Sequence, residues 1–269
     1  MKYDPIKKQL GKFFNISPLF RILFYRSLDL LLLRTWHVKR ALKAWKKDHP
    51  KQASILDAGS GFGQYTYYLT RLSPGYQITA VDVMTDQIQE CNAFFNKIAK
   101  GERVEFQEAD LTQYEKKESF DLILSVDVME HIEDDRQVFK NFYHSLKTGG
   151  MLLISTPSDK GGSDVHEEDD HSFIEEHVRD GYGIDEITEK LKAAGLSEVK
   201  AGYSYGNPGK ISWKLSMKYP IIMLNTSKIF YVLLPFYYLI SLPFCFLLNY
   251  FDIRMNHKEG TGLIVKAYK

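Results

Sequence analysis

Residues 54–63 read SILDAGSGFG, and the fold turns on how that stretch is taken. Ile55 and Leu56 form a short apolar run of the kind that fills a buried strand, and glycines at alternate positions follow it. Glycines let the backbone approach a ligand closely, and a helix beginning at Gln64 offers free N–H groups to that ligand's polar end. From Asp57 to Gly63 the spacing is D-x-G-x-G-x-G. The dinucleotide fingerprint is G-x-G-x-x-G, so a dehydrogenase is disfavoured.

Working outward, strands and helices alternate. The first strand (54–60) leads to a helix over Gln64–Leu72, stopped by Ser73-Pro74-Gly75. ITAVDV (78–83) is the second strand, and its helix carries Ile88, Cys91, Phe95 and Ile98 on one face until Gly101. VEFQEAD (104–110), FDLILSVDV (120–128) and MLLISTP (151–157) are the next three strands. Between the last two, Asp134 caps a helix bearing Val138, Phe142 and Leu146, which Gly149-Gly150 is expected to end. A long acidic loop precedes a helix over 184–194, and EVKAGYSYG (198–206) and TGLIVKAYK (261–269) supply two last strands. Alternation of this kind predicts an α/β layer fold, doubly wound around a mostly parallel seven-stranded sheet.

Acids close three of the strands or lie just past their ends. Asp82 ends the second, where a carboxylate can accept both hydroxyls of a ribose. Asp110 ends the third, and SVDVMEH (125–131) follows the fourth. All of these elements end at one edge of the sheet, where α/β proteins bind ligands.

Together these residues resemble the class I S-adenosylmethionine-dependent methyltransferases, over roughly 53–206 and the final strand. The resemblance implies that S-adenosyl-L-methionine is the cofactor, with Asp57, Gly59, Gly61 and Gly63 lining its methionine end. It implies that Asp82 binds ribose, Met84 flanks adenine, Asp110 and Leu111 meet the adenine amino group, and Ser125 and Asp127 sit beside the sulfonium. It also implies that the seventh strand runs antiparallel between the fifth and sixth. The domains would then be an N-terminal basic and apolar helical cap (1–50), a catalytic domain (51–206 with 260–269) and a helical insertion (207–259) between strands six and seven. Methyl transfer needs mainly alignment and exclusion of water, with a base only where the acceptor is protonated. His171 and His131 are the candidate bases. For His171 the competing reading is a loop residue beside the capping box Ser172-x-x-Glu175. His166 and His177 share the same loop, and HEEDDH (166–171) matches no metal-ligand spacing, so a solvated acidic run and no metal are expected.

The insertion holds the most unusual stretch, IFYVLLPFYYLISLPFCFLLNYF (229–251), without a single charge. Its length suits a membrane span. A last strand that must return to the sheet excludes a single crossing, and leaves three readings: a helical hairpin over roughly 211–225 and 228–250 in a membrane face, with Pro235 and Pro243 breaking or kinking its second arm, a hydrophobic cap that only covers an apolar acceptor, or a dimer interface. The net charge of +1 is uneven: residues 1–51 carry thirteen Lys/Arg against three Asp, and 206–258 carry six against Asp252 alone. Trp36, Trp45 and Trp213 lie in these basic segments, as do Lys210, Lys214, Lys218 and Lys228. Ser17-Pro18 starts an apolar N-terminal helix that continues as the basic amphipathic RTWHVKRALKAWKK (34–47). Basic, Trp-bearing apolar segments predict a peripheral protein on an anionic membrane surface, on the inner, cytoplasmic face. The two cysteines agree with a reducing compartment, and nothing at the N-terminus reads as a cleavable signal. The expected substrate is a lipophilic small molecule methylated at oxygen, such as a quinone precursor, a polyketide pigment or a lipid. The alternatives are a soluble acceptor with the insertion as a homodimer interface, and a non-catalytic membrane scaffold. Nucleic acid is not an expected partner, because the basic segments are too apolar for a phosphate-tracking surface.

Overall fold

The computed structural model describes residues 17–49, 51–161, 178–227 and 229–269. Helices α1 (Pro18–Leu31) and α2 (Leu33–Trp45) precede the sheet domain. Ser17 caps α1, accepting from the Phe20 N–H at 3.4 Å, and Pro18 occupies its first turn. The N-terminal helical cap is made of these two helices, parted at Leu32, whose ψ of 112° is extended. The break lets α1 fold back toward the glycine turn while α2 lays Val38, Ala41, Leu42 and Trp45 into the core.

The domain proper runs β1 (Gln52–Ala58), α3 (Gln64–Leu72), β2 (Gly75–Asp82), α4 (Thr85–Lys97), β3 (Val104–Glu108), β4 (Phe120–Val126), α5 (Asp135–Ser145), β5 (Leu146–Pro157), α6 (Ile184–Ala193), β6 (Ser197–Ser204) and β7 (Gly262–Tyr268). The sheet order is β3-β2-β1-β4-β5-β7-β6, and β7 is antiparallel to both neighbours. Two apolar layers flank the sheet, one around Ile55, Ile78 and Leu124, the other around Leu56, Ile123 and Ile154. Strand residues alternate between them, as the two-residue period requires.

The junction of α5 and β5 differs from the sequence reading. Leu146 belongs to β5, not to the preceding helix, because it pairs with Phe120 and fills the second layer. A register shift between Phe120 and Leu122 absorbs the extra residues, with Gly149 at φ +78°. Asp134 does cap α5, accepting from the Gln137 N–H at 3.1 Å.

Between β6 and β7 the chain forms α7 (Asn207–Trp213), a π-helical turn (Lys214–Lys218), α8 (Tyr219–Thr226) and α9 (Phe230–Asp252). It leaves the sheet at Tyr205 and rejoins at Thr261, whose N–H donates to the Tyr205 carbonyl at 3.3 Å. Helix α9 runs through Pro235 and Pro243, so of the two expected effects, a break or a kink, the prolines do not cause a break. By length and composition it could cross a membrane, yet only 11% of its most apolar window is buried in the protein.

Candidate functional site

The glycine turn follows β1 and is folded back on β2. The Gly59 and Ser60 N–H groups donate to the Val81 carbonyl at 2.8 and 2.9 Å. Gly59, Gly61 and Gly63 all have positive φ, at 78°, 49° and 78°. A Cβ at Gly59 would fall inside the Val128 side chain, whereas one at Gly61 would meet only the end of Gln87 at 3.7 Å. The turn is therefore packed from behind and open at Gly61, which suits a ligand lying along the backbone.

Asp82 closes β2 with both carboxylate oxygens oriented by backbone: Oδ2 accepts from the Gly61 N–H at 2.8 Å and Oδ1 from the Met84 N–H at 3.0 Å. Asp57 lies beneath the turn, buried, and accepts from the Thr66 hydroxyl at 2.5 Å. Burial pushes its carboxyl up to about 6; the Thr66 hydrogen bond opposes the rise and the Asp82 charge adds to it. Beyond β2 and β3 lies a groove of about 440 Å³ lined by Val83, Glu108, Ala109, Asp110, Gln113 and Tyr114. Val83 presents an exposed apolar side chain there, while Met84, half-buried, contributes its N–H to Asp82. Leu111 is buried, its carbonyl and that of Thr112 held by the Asn141 amide at 2.9 Å.

At the end of β4, Ser125 is fully buried, and its hydroxyl has no hydrogen-bond partner among the described residues. The same holds for Ser60 in the glycine turn. Asp127 takes a left-handed φ of 51° and pairs with Arg34 of α2. Arg34 in turn donates its backbone N–H to the Tyr205 hydroxyl at 2.9 Å. Glu130, in the short turn Met129–His131, is 1% exposed and accepts from the Thr156 hydroxyl at 3.0 Å. Burial raises its pKa above the ordinary carboxylate range.

Residues 56–154 match the family model of the methyltransferase domain. The central domain is a class I methyltransferase domain. Its sheet order, the single antiparallel strand and the cradle built from Asp57, the glycine turn and Asp82 agree with that assignment. The chain is 29% identical over 157 residues to phosphoethanolamine N-methyltransferase 1 of Triticum aestivum, a match covering 58% of this chain and 30% of that protein. It is 26% identical over 102 residues to a ubiquinone biosynthesis O-methyltransferase of Rickettsia conorii, covering 38% and 34%. These matches thus span about a third of each relative's length. Among solved structures, phosphoethanolamine N-methyltransferase 2 of Haemonchus contortus, in complex with S-adenosyl-L-methionine, superposes with a TM-score of 0.59 at 21% identity, over 86% of this chain and 52% of that one.

S-adenosyl-L-methionine is the cofactor of this family, and the residues present fit it. The cradle is open at Gly61, an oriented carboxylate stands at Asp82, a groove of mixed polarity with Val83 and Tyr114 beside Glu108 and Asp110 follows, and the buried hydroxyls of Ser60 and Ser125 have no partner among the described residues. Asp57, Gly59, Gly61, Gly63, Asp82, Asp110, Ser125 and Asp127 all fall on this one sheet edge, as the sequence suggested.

His131 lies in the turn past β4 at the same edge, half-buried. His171, with His166, His177 and the acidic run, lies outside the described residues. Sequence reasoning missed Arg34, Glu130 and Tyr205. Arg34 was read only as one cation of a basic helix, and its partner Asp127 is far along the chain. Glu130 could have been found, since it sits inside the quoted SVDVMEH motif. Among the described residues no cluster of His, Cys, Asp or Glu could hold a metal ion.

Proposed function

We propose that this protein transfers a methyl group to an oxygen of a lipophilic small molecule that it reaches at the cytoplasmic surface of an anionic membrane. The acceptor class is a quinone precursor, a polyketide pigment or a lipid. When bound, the cofactor supplies a methyl group already activated by a sulfonium leaving group. The chain's own residues would position and shelter the reaction. Asp82 is oriented to accept ribose hydroxyls, and the glycine turn would carry the methionine end above Asp57. Arg34, paired with Asp127, brings α2 over the end of β4 and would keep water from the reacting atoms. Alignment of acceptor and methyl would contribute most of the rate.

The observation that supports the lipophilic acceptor is the inverted polarity of α9. Its buried residues are Ser241, Cys245, Asn249 and Asp252, on one stripe, while Val232, Phe236, Leu239, Ile240 and Phe244 are exposed. A surface helix in water shows the opposite arrangement, whereas small and polar residues between helices suit a lipid-facing pair. The π turn tells the same story. Pro220 has no N–H to complete that turn, and the Tyr237 and Tyr238 hydroxyls donate to the Leu215 and Ser216 carbonyls at 2.6 and 3.0 Å. Such capping leaves these carbonyls satisfied without water, a requirement inside hydrocarbon.

Incubation with radiolabelled S-adenosylmethionine and a lipid extract of the source cells tests the reading. A labelled, organic-extractable product whose fragments place the methyl on oxygen is expected. Label only in water-soluble products, from a dimer that does not sediment with vesicles, would replace it with the soluble-acceptor alternative.

A further inference from the structure

A second concave site lies outside the methyl-transfer edge. It is a groove of about 660 Å³ between α2 and the base of α9, lined by Asp29, Trp36, Lys39, Arg40, Lys43, Ile253 and Arg254. On α2, at about 100° per residue, positions 36, 39, 40 and 43 share one face, opposite Arg34, Val38 and Ala41. The groove is therefore turned away from the cofactor edge.

Its charge is lopsided. Four cations face one carboxylate, and that carboxylate, Asp29, is already paired with Lys39. Arg40, Lys43 and Arg254 are exposed and have no ion-pair partner among the described residues. The wall is rigid and aromatic. Trp36 stacks on Phe246 with centroids 6.2 Å apart, and its Nε1–H donates to the Leu30 carbonyl at 3.1 Å. Arg254 lies over the Tyr250 ring at 4.1 Å.

The groove opens where the exposed apolar face of α9 ends, at Leu247 and Phe251. Helix α9 is about 35 Å long at 1.5 Å per residue. With that face in hydrocarbon, a rim carrying tryptophan, tyrosine, lysine and arginine falls at headgroup level, where such residues concentrate.

We propose that this groove binds the phosphate of an anionic phospholipid headgroup, with Arg40, Lys43 and Arg254 as its ligands. The proposal rests on the membrane reading above, because the site is placed at headgroup depth only if the hairpin enters lipid. An unpaired, outward-facing cation trio on a fixed aromatic wall, continuous with an inverted apolar helix, complements an anion tethered to a lipid tail.

The test is co-sedimentation of the full chain with phosphatidylcholine vesicles and with vesicles containing phosphatidylserine. Wild type should prefer the anionic vesicles. The triple variant Arg40→Gln, Lys43→Gln, Arg254→Gln should lose that preference by about a hundredfold, at about fivefold per cation, and still bind neutral vesicles weakly. Cofactor affinity and thermal unfolding should stay as in wild type. A control variant on the same helix end, Lys46→Gln with Lys47→Gln, should change the preference less than fivefold. An equal loss per charge in the control would reduce the groove to diffuse attraction and overturn the site, as would a triple variant that keeps its preference. Inorganic phosphate at constant ionic strength should not displace the protein; displacement would assign the groove to free phosphate instead. Leu239→Glu should weaken binding to both vesicle types. A wild-type chain that binds neither vesicle and forms dimers would overturn the membrane reading itself.

Discussion

Leu153 and Leu239 are the same residue in opposite settings. Leu153 is wholly buried in β5, between β4 and β7, whereas Leu239 on α9 is 76% exposed. Around Leu153 the protein follows the rule for a molecule in water, with apolar groups inside and charges outside. Around Leu239 it reverses that rule, hiding Ser241, Cys245 and Asn249 while displaying Phe, Ile and Val. One chain thus carries two solutions to burial, and the second makes sense only if something apolar covers it.

The strongest way to break the contrast is to remove one side of it. Replacing 214–247 by a short flexible linker keeps Gly209 and Asp252, which are hydrogen bonded at 2.9 Å. Turnover of the lipophilic acceptor should fall to background in a radiolabel assay, while cofactor affinity by calorimetry changes less than about threefold. Loss of cofactor binding in a folded variant would mean that the hairpin supports the cradle, and the two regions would not be separable.

Next in size is Asp82→Ala. Hydrogen bonds to charged groups are worth about 1.5–3 kcal/mol each, and this carboxylate also orients the Gly61 and Met84 N–H groups. Cofactor affinity should drop by about a hundredfold or more, with vesicle binding unchanged. An effect below tenfold would place the ribose elsewhere.

The paired substitution sharpens the comparison most directly. Leu153→Ala should cost about 2–5 kcal/mol in urea unfolding, as large-to-small changes in packed cores do. Leu239→Ala without membranes should stay within about 0.5 kcal/mol, as at an exposed site. A large cost at Leu239 would show the face to be covered by protein.

The smallest effect expected is a pH dependence. The folded Asp57 carboxyl titrates near 6 against an ordinary 3.8, so folding of the free protein favours its protonated form. Its contribution to stability therefore falls as pH rises from about 4 to about 6. Ligand binding runs the other way, because the cationic amino group of the methionine end favours the ionised carboxylate. Cofactor affinity should decline by up to about tenfold from pH 6 to pH 5, and Asp57→Asn should flatten that slope. A wild-type slope that survives the substitution would assign the titration to another group.

Much of the sheet domain was legible because its signals are local. Glycines at 59, 61 and 63, acids at strand ends and apolar runs of strand length need no knowledge of distant contacts. The misplaced boundary depended on a partner. Leu146 reads as helix until Phe120 claims it, and the break at Leu32 serves a fold-back onto the glycine turn. There, buried Arg21 donates to the Phe62 carbonyl at 2.9 Å and to the Cys91 sulfur at 3.0 Å. The Arg34–Asp127 pair was invisible for the same reason. The inverted stripe of α9 was readable after all, since 241, 245, 249 and 252 recur at helical spacing within an apolar run.

The neck of the hairpin carries a consequence of its own. Tyr205 and Thr261 are hydrogen bonded, Tyr203 bridges to His257, and Asp252 is gripped by His37 at 2.8 Å. To the sheet, everything between is a short turn, because lengthening a closed loop adds little entropic cost. The insertion is thus a cassette: lineages could trade it for another, longer, shorter or more polar, without moving a strand, and so change where the domain works while the chemistry stays put.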